Sequence, residues 1–136
     1  MTAPAPAQRI LALVVGLAMA ANGMAMLFAG VAWYRAVPGV VETGPFNGHF
    51  VEDIGAAYLA AGAALAWLGW RPSPTARGAA GAGTAYLGLH AAIHLTGAVI
   101  DPHGLAPFIR DFPGVFAPPL LAGAALWRLS RKVAHA

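Results

Sequence analysis

Long apolar segments with few charges limit what this chain can fold into more than any other feature. Four such segments occupy residues 10–34, 51–70, 79–100 and 115–129. A helix needs about 20 apolar residues, at a rise of about 1.5 Å each, to cross the hydrocarbon core of a bilayer. The fourth segment is short, and Pro118-Pro119 predicts that its helix begins near these prolines. The sequence therefore predicts an all-α membrane protein: one domain over residues 1–136, folded as an antiparallel four-helix transmembrane bundle.

The composition supports this class and excludes several others. Hydrophobic residues make up 59% of the chain and charged residues 10%, against about 25% charged in a typical soluble domain. The chain has no cysteine, which excludes a disulfide, a thiolate metal site and a redox CxxC pair. It has no basic run of the kind that follows a nucleic-acid backbone, so no nucleic-acid partner is expected.

The first apolar segment has features of both a span and a signal peptide. Its length exceeds the roughly 7–15 apolar residues of a signal peptide, so we expect it to remain as a span. The small residues of AMAANG, at positions 18–23, are typical of a cleavage site and leave cleavage open as the alternative.

The charged residues predict the orientation of the bundle. With four crossings, six of the eight basic residues share the side of both termini: Arg9, Arg71, Arg77, Arg128, Arg131 and Lys132. Arg35, Arg110 and all five acidic residues lie on the other side. Basic residues concentrate on the cytoplasmic side of membrane proteins, so both termini are predicted to be cytoplasmic. The connections near 35–50 and 101–114 are rich in turn signals, and we expect two ordered periplasmic loops that fold over the bundle.

Two histidines interrupt the third apolar segment. His90 and His94 stand four residues apart, so a helix presents both imidazoles on one face. The second helix begins with HFVED, which places His49, Glu52 and Asp53 on one face at the same membrane side. Two imidazoles with a carboxylate or a third imidazole suit zinc, iron or copper(II). The predicted metal ligands are therefore His90, His94, Asp53 and His49. Haem is less expected, because two histidines on one helix cannot ligate its opposite faces.

Other interpretations of the same residues remain open. The two histidines fit interhelical hydrogen bonds to a backbone carbonyl or to Asn22, Thr84 or Thr96. Glu52 and Asp53 lie in a first helical turn, where negative charge is favourable. The sequence thus predicts a small integral membrane protein with a buried His/Asp cluster in its outer half, acting as a metal-binding accessory protein or subunit. The alternatives are a lipid- or quinone-binding protein and a purely structural subunit. No nucleophile–base pair of suitable spacing indicates a stand-alone enzyme.

Small residues recur along the second and third segments. Gly55, Gly62, Gly81 and Gly88 predict close approach of these two helices. Because more than one such face is available, we expect a homo-oligomer or a larger complex in the bilayer.

One stretch resembles a known group of proteins. WYRAVPGVVETGPFNGHFVEDIGAAYLAAG (33–62), followed by His90 and His94 in LHAAIH (89–94), resembles a family of short bacterial inner-membrane proteins that are DoxX-like in build. Glu52 stands where that family typically has a basic residue. The resemblance covers residues 10–97. It implies a four-helix topology in the bacterial inner membrane, and no activity.

Overall fold

The chain is helical through nearly all the residues that can be described. A computed structural model describes residues 6–100 and 105–131, with side chains as far as Trp127, and no strand occurs in these ranges. The helices are α1 (Pro6–Phe28), α2 (Gly30–Ala36), α3 (Gly48–Trp70), α4 (Pro74–Ile100), α5 (Ala106–Asp111) and α6 (Ala117–Arg131). A 3-10 turn covers Val40–Thr43, and a π-helical segment covers Phe112–Phe116. The all-α prediction is confirmed for this part of the chain.

Four helices enclose one apolar core. Contacts run from α1 to α3, from α3 to α4, from α4 to α6 and from α6 back to α1, and the α1–α3 contact is the most extensive. Met26, Leu65, Leu68 and Leu87 are the largest fully buried side chains. Loss of any of them to alanine is expected to cost about 2–5 kcal/mol.

The contact between α1 and α3 depends on glycines spaced by seven residues. A Cβ atom at Gly16, Gly23 or Gly62 would lie closer than 3.0 Å to backbone atoms of the opposite helix. The pairing of Gly16 with Gly62, and of Gly23 with Gly55, shows that the two helices are antiparallel. Small residues allow the two backbones to approach, which increases dispersion contacts along the whole interface.

The sequence prediction assigned two of these glycines to the wrong partner. Gly55 and Gly62 face α1 rather than α4, and nothing lies within 4 Å of a Cβ placed at Gly81 or Gly88. The close contact between α3 and α4 instead joins Gly83 to Ala61. Gly83 shares a helical face with the buried residues Leu87 and Ala91, whereas Gly81 and Gly88 lie on the opposite face.

Polar residues cap the starts of two helices. The Asn47 side chain accepts a hydrogen bond from the Phe50 amide, so α3 begins at Gly48, one residue before the predicted start at His49. The Ser73 hydroxyl accepts one from the Ala76 amide, so α4 begins at Pro74 rather than at residue 79. Proline suits the first position of a helix, where its missing N–H would have no partner.

Only part of the four-span prediction is met. Among the described residues, α1 and α3 are long and apolar enough to cross a membrane, by length and composition. Helix α4 has 27 residues, but it is rich in Gly and Ala and carries His90, His94 and Arg77. Helix α6 has only 15 residues, and the prediction that it begins near Pro118 is correct to within one residue. The first predicted segment is divided at Ala29 into α1 and α2.

Two connecting segments meet at one end of the bundle. We call them the cap: residues 37–47, between α2 and α3, and residues 105–116, before α6. Tyr34 anchors the first part by donating its hydroxyl hydrogen to the Gly44 carbonyl at 2.6 Å. Residues 101–104, within the second predicted loop, lie outside the described part of the chain.

Candidate functional site

The two histidines of α4 form a pair near the cap. Their ring centroids are 4.8 Å apart with an interplanar angle of 48°, and both side chains are half-buried. The i, i+4 spacing places them on one helical face, as predicted.

Asp111, at the end of α5, holds His94 in a fixed orientation. The distance between His94 Nδ1 and Asp111 Oδ2 is 2.9 Å. Because an ionised carboxylate only accepts hydrogen bonds, Nδ1 carries the proton and donates it. The Nε2 atom of His94 is then the nitrogen with a lone pair available to a ligand.

Arg110 links Asp111 to the other half of the cap. Its Nε donates to Asp111 Oδ1 at 2.8 Å, and its Nη1 donates to Glu42 Oε2 at 2.7 Å. The guanidinium also lies directly against Gly39, whose φ of 82° is in the left-handed region. A hydrogen-bonded chain therefore runs from Glu42 through Arg110 and Asp111 to His94.

This chain keeps Asp111 ionised. Burial alone would raise the pKa of its carboxyl group, but the hydrogen bonds from Arg110 and His94 and the positive charge of Arg110 outweigh that effect and lower the pKa below its usual value. The Asp111 side chain is 14% exposed, whereas that of Glu42 is 71% exposed. Asp111 is thus the shielded carboxylate of the chain, and Glu42 is its solvent-facing end.

Two tyrosines extend the cluster deeper into the bundle. The ring centroid of Tyr58, on α3, lies 5.4 Å from that of His90, and that of Tyr86, on α4, lies 6.2 Å from it. The two tyrosine rings meet edge to face at 5.6 Å. Neither hydroxyl has a hydrogen-bond partner among the described residues, so the donor of each is unused there.

The structure divides the four predicted metal ligands into two pairs. Asp53 Oδ2 lies 3.6 Å from His49 Nε2 on the first turns of α3. Both side chains are exposed, that of Asp53 by 67% and that of His49 by 87%. The carboxylate bound to His94 is Asp111 and not Asp53, so the expected meeting of Asp53 with the α4 histidines is wrong. No group of three His, Cys, Asp or Glu side chains able to hold one ion occurs in residues 6–100 and 105–127. Metal binding by any of these residues stays a prediction.

The alternative hydrogen-bond partners proposed for the histidines bond elsewhere. Asn22 Oδ1 accepts from Trp33 Nε1 at 2.9 Å and so connects α1 to α2. Thr84 and Thr96 donate to backbone carbonyls of their own helix, those of Ala80 and Ile93. His94 instead bonds to the Asp111 carboxylate, on α5.

Four members of the site do not follow from the sequence pattern alone: Asp111, Arg110, Tyr58 and Tyr86. The adjacent Arg110 and Asp111 lie in the second predicted periplasmic loop, whose charged residues were the available signal. The tyrosines gave a signal too: Tyr86 precedes His90 by four residues and therefore shares its face. Comparison of the chain with protein-family models, with curated proteins and with solved structures finds no match.

Proposed function

We propose that this protein is a four-span protein of the bacterial inner membrane that binds a transition-metal ion through His90 and His94, as an accessory protein or subunit of a larger membrane complex. Asp111 orients His94 from outside the coordination sphere. Water, or a donor from a partner protein, fills the remaining positions. The observation that carries the proposal is the pair of His90 and His94 on one helical face, with His94 hydrogen-bonded to the Asp111 carboxylate.

Two geometric features support metal binding. Two imidazoles on one tetrahedral ion, with metal–nitrogen bonds of about 2.0–2.1 Å, bring their ring centroids roughly 5 Å apart, close to the 4.8 Å found here. Metal-bound histidines usually donate their second ring N–H to a carboxylate, which fixes the ring and strengthens the ligand. The bond from His94 to Asp111 has this form.

The membrane location rests on the apolar helices and on the charges. Helices α1 and α3 meet the length and composition of spans, and the residues they contact in α4 and α6 complete the same core. With four crossings, both termini and six of eight basic residues are cytoplasmic. The cap and the histidine pair then lie at the periplasmic side.

Elemental analysis of the detergent-purified protein tests the metal site. We expect about one zinc, copper or iron ion per chain in the unmodified protein. The metal should be lost in His90→Ala and His94→Ala, and the metal affinity should fall roughly 10–100-fold in Asp111→Asn. His49→Ala is the matched control, because His49 is exposed and distant in sequence from the pair. Equal metal content in His94→Ala and the unmodified protein contradicts the proposal. A visible spectrum identifies haem if a Soret band is present.

A quinol is the second candidate ligand, and the tyrosines favour it. The rings of Tyr58 and Tyr86 lie beside the ring of His90, and His94 Nε2 offers an acceptor to a ligand hydroxyl. Organic extraction of the purified protein separates the two candidates. A quinone that co-purifies with a metal-free protein, and is lost in Tyr58→Phe, supports the second one.

A further inference from the structure

An open apolar groove runs between α1 and α3 at the end of the bundle opposite the cap. Its volume is about 490 Å³, and almost all of its lining is apolar. Leu13 and Leu17 of α1 form one wall, and Ala63, Ala66 and Trp67 of α3 form the other. The groove is deep at Ala63 and Ala66, because their side chains are smaller than those of Leu13, Leu17 and Trp67 around them. Both helices are long and apolar enough to cross a membrane, and lipid chains surround the groove if they do.

Two arginines lie where the groove ends. Trp70 forms that end, and the Arg71 guanidinium carbon lies 4.7 Å from the centre of the Trp70 ring. Arg9 reaches across from α1 and donates to the carbonyls of Gly69 and Trp70, at 3.0 and 2.7 Å. Arg9 thereby satisfies the free carbonyls at the carboxyl end of α3, and Arg71 is left to contact the tryptophan ring.

Neither arginine is neutralised by a carboxylate of the described chain. The four acidic residues in the described ranges, Glu42, Glu52, Asp53 and Asp111, all lie in the cap or on the first turns of α3. Along α3, Asp53 and Arg71 are 18 residues apart, which is about 27 Å at about 1.5 Å per residue. Two positive charges therefore lie at the mouth of an apolar groove with no carboxylate of residues 6–100 or 105–127 beside them.

We propose that this groove binds one acyl chain of an anionic phospholipid, with the lipid phosphate at Arg71 and Arg9. The phosphate supplies the missing negative charge, and a guanidinium pairs with phosphate oxygens through two parallel hydrogen bonds. The chain fills the apolar groove towards Ala63, and the Trp67 and Trp70 rings lie at the level of the interface, where tryptophan is favoured. The inference rests on the proposed membrane location and is independent of the metal site.

Lipid competition tests the inference. The protein is first assigned to the membrane or soluble fraction after an alkaline wash, and recovery in the soluble fraction overturns both the location and this inference. The membrane-extracted protein is then titrated with phosphatidylglycerol or phosphatidylcholine of identical chains, and the midpoint of thermal unfolding is measured. We expect phosphatidylglycerol to bind more tightly, by roughly fivefold per guanidinium, and to survive detergent washing.

Variants separate the head site from the groove. Arg71→Gln should remove the preference for phosphatidylglycerol, while Arg35→Gln, on α2 at the cap end, should retain it. Ala63→Leu places a larger side chain in the groove and should weaken the binding of both lipids. Equal binding of the two lipids by the unmodified protein, an unchanged preference in Arg71→Gln, or stabilisation by inorganic phosphate alone overturns the inference and leaves the membrane location intact.

Discussion

Asp111 is the residue on which the candidate site depends most. Both of its carboxylate oxygens accept hydrogen bonds, one from His94 and one from Arg110, and its side chain is largely shielded from solvent. Removing a shielded acceptor leaves its donors without partners, which costs more than the bond itself contributed. Glu42, in contrast, is a rim carboxylate that solvent can replace.

We therefore expect Asp111→Ala to lower the free energy of unfolding by about 1.5–3 kcal/mol, and Glu42→Ala to lower it by no more than about 1 kcal/mol. Denaturant titration in mixed micelles measures both values. Equal losses in the two variants would show that the shielding of Asp111 contributes nothing.

The sequence revealed the histidine pair but not its partner. The i, i+4 spacing of His90 and His94 fixes their common face in any helix, so this part follows from local geometry. The choice of Asp111 over Asp53 depends on how the cap folds back over α4, and it is a tertiary contact between residues 17 positions apart. The spacing of residues along the sequence does not indicate which carboxylate the folded cap brings to His94.

At the scale of elements, glycine position rather than glycine content determines which helices approach. Gly62 meets the backbone of α1, and Gly88 meets open space, although the two lie in similar Gly/Ala-rich segments. The composition of both segments predicted close packing. Only the face on which each glycine lies determines where that packing occurs, and the weak apolar periodicity of these helices did not indicate the face.

Gly62→Ala should separate α1 from α3, because its Cβ would overlap backbone atoms of Ala20 and Gly16. We expect a loss of about 1–3 kcal/mol, as for other overpacked cores. The matched change Gly88→Ala should be neutral, or stabilising by up to about 1 kcal/mol through helix propensity. Thermal unfolding in detergent compares them, and a stable Gly62→Ala protein would contradict the observed contact.

The two halves of the cap are held together through Gly39. A Cβ at this position would occupy the space of the Arg110 guanidinium, and the left-handed backbone of Gly39 already disfavours a side chain. We expect Gly39→Ala to displace Arg110 from Glu42. The added change Glu42→Gln should then have no further effect on stability, while it keeps its effect in the unmodified protein. Additive losses in this double-mutant cycle would show that Arg110 keeps its place.

At the scale of the whole molecule, the helical class and the ends of α3 and α4 followed from the apolar segments, and the start of α4 did not. The ends of α3 and α4 at Trp70 and Ile100 were predicted correctly, because the apolar pattern stops there. The start of α4 was missed, because the Ser73 side chain caps a helical turn that a hydropathy pattern does not register. The weak apolar character of α4 reflects its use of Gly, Ala and His for packing and for the site.

The orientation of the bundle gives the last prediction. Arg9 and Arg71 lie together at one end of the α1–α3 pair, and Glu42, Asp53 and Asp111 lie at the other. Basic residues near span ends are retained on the cytoplasmic side, whereas acidic residues have little influence. Reporters fused after residue 136 and within residues 41–48 should therefore give opposite results, cytoplasmic for the first and periplasmic for the second. If both report the same side, an even number of crossings lies between residues 41–48 and residue 136 instead of the expected three, and α4 or α6 does not span the membrane.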